Sequence, residues 1–403
     1  MADPTPSIMI LGFVFGFHIV LVNIDMGLAI LIPLLKRFGE TKDRPFYINA
    51  AKRYMKYLAI IYASAGVFAT AFTVFLLSFF PEFIRLAGTA LIVPFALAVI
   101  FISIRLLTIS AYWYSWDKLR SDYHFGLGLI LASTSFLIPF AFRLVFSFLN
   151  TPSAVVSTDP LIVDPGLLLT NPTFWPLYIK SILGGLALTM FLLVTVYTYR
   201  LRRNIGDKSE NEYFIKQYLT LGMWPLLIQP IFGFWYLASL NLATTFKFSN
   251  VAGNWFGIPP QATDYSLLFA LKLLMVFFQF FVLLYILWLF LNKKGEINFE
   301  DNNLQLILLG IGPAAVLTIL FGELLNELSQ LPYFIAVPSL ESILPMINIS
   351  TALNPLAAAF DIYALTIFAI VPLLAAFFVL LYYVLVENGK KKDTSEMASD
   401  VKE

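Results

Sequence analysis

His18 is one of two histidines in 403 residues, and it lies ten residues inside the first long apolar segment of the chain. An imidazole at that depth is costly unless it bonds to something, and the neutral ring is a common axial ligand for a metal or haem iron. Glu323 and Glu327 form a second candidate group. Four residues apart, they share one helix face, and carboxylates held close together tend to leave one protonated. Lys180 or Lys272 could instead neutralise one of them. Asp25 and Arg105 lie deeper still, each about seventeen residues in from the same end of its apolar segment. Their matching depths point to an ion pair that fixes two helices together. Arg143, like Lys180, stands close enough to a segment end to snorkel to the interface.

The list of such side chains is short because the rest of the chain is apolar. It is 59% hydrophobic and 13% charged, with a mean hydropathy of +0.81. Soluble domains carry about a quarter charged residues, so the class is a polytopic membrane protein. The lack of cysteine excludes disulfides, thiolate metal sites and iron–sulfur clusters in this chain. A net charge of +1 speaks against nucleic acid as a partner. The first segment follows a nearly uncharged start and exceeds signal-peptide length, so it reads as a retained span.

The elements that must position these groups are nine apolar stretches, at 8–35, 53–80, 88–115, 124–149, 174–200, 213–240, 265–292, 303–330 and 361–386. Each is long enough to cross roughly 30 Å of hydrocarbon, which predicts an all-α, nine-helix membrane bundle. Basic residues crowd alternate connections, as with Lys36, Arg37, Lys42 and Arg44, then Lys118 and Arg120, then Arg200, Arg202 and Arg203. Neither 150–173 nor 331–360 holds a Lys or Arg, and the sixth connection has only Lys247. The positive-inside rule then puts the N-terminus outside and the C-terminus in the cytoplasm of a multi-pass cell-membrane protein. On that orientation His18, Arg143, Lys180, Lys272 and Glu327 share one polar layer in the outer third. The outer connections, rich in Pro, Asn, Thr and aromatics, read as caps over the bundle. Residues 1–387 form one transmembrane domain, and 388–403 a charged cytoplasmic tail. Gly12-x3-Gly16 and Gly184-Gly185 mark close helix packing.

Several stretches resemble subunit I of the cytochrome bd-type quinol oxidases. They are 17-FHIVLVNIDMGLAIL-31, 116-WDKLRSDYH-124, 149-LNTP-152 with 171-NPTFWPLYIK-180, and 326-NELSQLPY-333, a weakened form of that family's Glu-x-Gly-Arg-Gln-Pro-Trp motif. Nine spans with an outside N-terminus match the family's architecture. The resemblance implies that His18 aligns with the ligand of one high-spin haem and Glu327 with the ligand of the other. The low-spin b haem would take a histidine from the fifth helix and a methionine from the seventh. Those positions hold Lys180 and Leu274, with Met275 one residue off and rotated by about 100°. A protonated lysine has no lone pair to donate, so the low-spin b haem is expected to be absent. The family's two third-helix glutamates fall on Leu97 and Arg105, which cannot relay protons. The quinol loop between spans six and seven is short, implying no independent quinol site of the usual kind. His124 aligns with a family histidine, and its place near the end of span four suits a solvated interfacial role.

These departures describe a degenerate paralogue of subunit I. The resemblance therefore implies a membrane subunit of a bd-type quinol:oxygen oxidoreductase, mainly structural and not catalytically complete alone. Its partner would be a haem-bearing subunit I-like chain that also binds the quinol. Two alternatives stay open. The chain could keep one high-spin haem, b or d type, on His18 or Glu327. From another class, it could be a secondary transporter using the outer polar layer. An odd span count and the lack of a visible inverted repeat stand against that, although Pro139, Pro230 and Pro313 interrupt three spans.

Overall fold

A computed structural model describes residues 5–158, 161–292 and 297–354, together with 375, and within them eight helices are long and apolar enough to cross a membrane. They are α1 (Thr5–Thr41), α2 (Pro45–Phe79), α4 (Ile92–Tyr114), α5 (Ser121–Asn150), α6 (Phe174–Arg202), α7 (Lys208–Ala243), α9 (Ser266–Asn292) and α10 (Asn302–Leu328), with the shorter α3 (Pro81–Ala90), α8 (Thr245–Ala252) and α11 (Ile349–Ala352) between or after them. The expected ninth span at 361–386 and the tail at 388–403 lie outside the described residues.

Local chemistry sets the starts. Pro45 opens α2, where a missing N–H costs nothing. The Asp207 carboxylate accepts from the Glu210 N–H at the start of α7, and Asp301 accepts from Asn303 and Leu304 at the start of α10. Two expectations about boundaries need correction. Residues 88–115 are not one span: the chain breaks at Leu91, between α3 and α4. Pro94 explains it, because its ring would meet the carbonyl of residue 90 in an unbroken helix. The first connection also shrinks to 42–44, so Lys36, Arg37 and Lys52 ride on helix ends that run past the apolar stretches.

Helices α1 and α6 are the innermost, each with 56% of its most apolar window buried, against 11% for α2. Their approach depends on small residues. A Cβ on Gly27 of α1 would run into Thr189 of α6, and one on Gly185 of α6 would run into Met26 and Asn23 of α1. One end of the bundle carries the short basic connections. The other is capped by long connections that fold back on it, as their composition suggested. This cap holds a departure from an all-α architecture, an antiparallel pair of β1 (Val155–Thr158) and β2 (Leu161–Val163) in the register Val155 to Val163 and Thr158 to Leu161. Its Leu161 and Val163 pack with Phe148, Phe174 and Ile347 into a cluster that seals this end.

Candidate functional site

The deepest polar group ties three helices together. Arg105 on α4 is 2% exposed and bonds the Asp25 carboxylate of α1. The same guanidinium donates to the Asp25 carbonyl at 3.2 Å, to Thr134 Oγ1 of α5 at 2.7 Å and to Ser135 Oγ at 3.2 Å. A permanently protonated group so held is a clamp, with no proton to pass on. Nearer the basic end lies a cluster that sequence reading missed, where the Tyr54 hydroxyl meets those of Tyr197 at 2.8 Å and Tyr218 at 2.7 Å.

Toward the capped end the pairing differs from expectation. Glu323 bonds Arg143 of α5 at 2.8 Å, and neither Lys180 nor Lys272 forms an ion pair with it. Arg143 therefore does not snorkel; it is buried against α10. The partner choice follows from which face of α10 looks at α5, which depth along the membrane does not reveal. Glu327, one turn on, makes no hydrogen bond or ion pair among the described residues, and its Oε2 lies 3.5 Å from where a Cβ on Gly12 would sit.

His18 turns the other way. Its ring Nδ1 lies 2.9 Å from the Ala65 carbonyl of α2. At about 100° per residue, His18 stands roughly 140° round α1 from the middle of the Gly12–Gly16 face that meets α10. The His18 ring and the Glu327 carboxylate thus lie on different sides of α1 and do not converge on one space. His124 is also corrected: it is 1% exposed, not solvated. Both its nitrogens are committed, Nε2 to the Tyr112 carbonyl and Nδ1 to the Lys36 ammonium, each at 3.1 Å.

Lys180 and Lys272 line a half-open cavity of about 170 Å³ bounded by α6, α7, α8, α9 and α10. The Lys180 ammonium stands 4.5 Å over the Tyr236 ring. A third lysine joins them, Lys247 of α8, which sequence reading had noted only as the lone basic residue of its connection. It is 1% exposed, and its ammonium donates to Asn150, Asn326 and Gln330. Burial pushes the Lys247 ammonium down from its usual range to about 7. Asn150, Asn326 and Gln330, amide residues far apart in the sequence, meet around this one cation only in the fold.

These residues do not fit a low-spin haem. The space is close to that of a cavity that takes one benzene, about 150 Å³, and far below a macrocycle. Lysine ammoniums offer iron no lone pair, Leu274 is 56% exposed on the outer side of α9, and neither it nor Met275 lines the cavity. His18 fits ligation better. An Nδ1–H held by a carbonyl leaves Nε2 with the lone pair, as in many ligating histidines. Among the described residues no cluster of three or more His, Cys, Asp or Glu could hold a metal ion.

A family model described as cytochrome bd terminal oxidase subunit I matches residues 7–255. A Bacillus subtilis (strain 168) protein, provisionally described as a cytochrome bd menaquinol oxidase subunit I, is 26% identical over 231 residues, 55% of this chain and 51% of that one. The chain thus spans about half the length of the curated relative it matches. The solved bd oxidase from Geobacillus thermodenitrificans superposes with a TM-score of 0.80 at 17% identity, over 94% of this chain and 98% of that one, a likeness of fold.

Proposed function

Because this chain belongs to the cytochrome bd terminal oxidase subunit I family, we propose that it serves as a mainly structural subunit of a bd-type quinol:oxygen oxidoreductase. It is a multi-pass protein of the cell membrane, and bd oxidases are multi-subunit membrane complexes that bind haem. In the proposed complex the haems and the quinol sit in a haem-bearing subunit I-like partner, and this chain shields that partner from lipid. The observation that carries the reading is Lys180: where the family resemblance calls for a ligating histidine, an ammonium lies over Tyr236 beside a cavity too small for a haem. Arg105, clamped on Asp25, supports it by replacing an acid of the family's proton route with a fixed cation.

The test is gentle purification of a tagged chain, identification of its co-purifying subunits and a pyridine-haemochrome spectrum of the chain after separation. The expected result is a haem-bearing partner and no haem retained by this chain. Recovery of the chain alone, colourless and inactive toward quinols, would overturn the proposal. A second reading, one retained high-spin haem, has the His18 Nδ1 bond in its favour. One haem per chain, lost in His18→Ala, would establish it.

A further inference from the structure

The cavity beside Lys180 holds more positive charge than its own walls answer. Lys247 is served by three side chains and a backbone carbonyl. Lys180 and Lys272 are not: among the described residues neither makes a hydrogen bond or an ion pair. The acid whose charge reaches both, Glu323, is already bonded to Arg143 at 2.8 Å. Lys180 has only the Tyr236 ring face, and the Lys272 ammonium stands against bare backbone, 3.1 Å from where a Cβ on Gly322 would sit. Ammoniums left unanswered in an apolar surround are expensive: each can shed its proton, and an anion drawn in between them is what would hold both charged.

The rest of the wall defines the anion's other half. Leu226, Leu240, Val251, Phe269 and Val276 make it apolar, and the Gln229 and Asn326 amides add polar contacts. Its mouth opens sideways. Among the described residues helix α9 packs on α10 and hardly touches α7, and Phe234, on the cavity wall, is 72% exposed on the outer side of α7. A ligand therefore enters from the hydrocarbon near the capped end, where a polar head can travel at the interface and its chain in the bilayer. A volume of about 170 Å³ holds a head and its first carbons, with the chain leaving between α7 and α9.

We propose that this cavity binds the head of an anionic amphiphile, a carboxylate or phosphate on an acyl chain, between Lys180 and Lys272. The proposal goes beyond the structural role above and does not depend on it.

The test uses the full chain in the complex in which it is purified, with oleate as the probe and methyl oleate, its uncharged ester, as the comparison. Saturable binding of one oleate per chain is expected, with the ester weaker by about tenfold or more, the usual worth of a charge-assisted bond. Lys180→Gln and Lys272→Gln should each weaken oleate to a similar degree without changing the ester. Equal affinity for acid and ester would overturn the proposal on the unmodified protein, whatever the folding of the variants. Competition then separates the sources. Displacement by phosphatidylglycerol vesicles but not by phosphatidylcholine assigns the site to a membrane phospholipid. Displacement by neither assigns it to free fatty acid, and equal displacement by both overturns the charge recognition.

Discussion

Arg105 and Asp25 illustrate what one pair of residues decides in this protein. Their bond lies in the apolar interior, so losing either partner strands a charge there. Arg105→Ala or Asp25→Ala alone is expected to cost about 3–5 kcal/mol, while the joint exchange Asp25→Leu with Arg105→Met recovers most of it. Thermal unfolding of the purified protein in detergent measures this, and an unchanged folded yield for Arg105→Ala would sink the pairing. This contact was legible in the sequence because few groups share that depth, so each had few candidate partners. The Arg143–Glu323 bond was not, because three cations, Arg143, Lys180 and Lys272, lie at similar depth and only the facing of α5 toward α10 selects among them. Lys247 escaped notice for a related reason. A lysine in a connection reads as solvated until the fold closes Asn150, Asn326 and Gln330 around it.

At the scale of the helices, small residues set how closely the inner pair can approach. Gly27→Val on α1 drives a branched side chain into Thr189 of α6 and is expected to cost about 1–3 kcal/mol or more, read as lost folded yield on size-exclusion chromatography. Gly66→Ala on α2, which meets nothing within 4 Å, is expected to do the opposite. Removing helix-interior glycine there should add about 0.5–1 kcal/mol and raise the thermal midpoint. The same composition permits both outcomes, and position in the bundle separates them. Element boundaries were mostly legible from hydropathy. The break at Leu91 was legible too in principle, since Pro94 disfavours a helix continuing through it, but an apolar run across it masks the interruption.

For the whole molecule the direction it faces is directly testable, because the chain has no cysteine. Val156→Cys, at a position 67% exposed in β1, is expected to react with a membrane-impermeant maleimide in intact cells. Arg203→Cys, in a basic connection at the opposite end, should react only after permeabilisation. The reverse pattern would invert the orientation and place the lysine cavity near the cytoplasmic face. By itself the sequence determined that this chain crosses a membrane many times, where most spans begin and end, and which family it resembles. Those properties follow from the summed transfer free energy of local segments and from short ordered motifs, and neither needs a neighbour in space. Only the tertiary structure decided that Glu323 belongs to Arg143, that His18 and Glu327 look to opposite sides of α1, and that Lys180, Lys247 and Lys272 share one cavity. Those depend on how each helix is turned about its own axis, which packing against its neighbours sets and hydropathy does not carry.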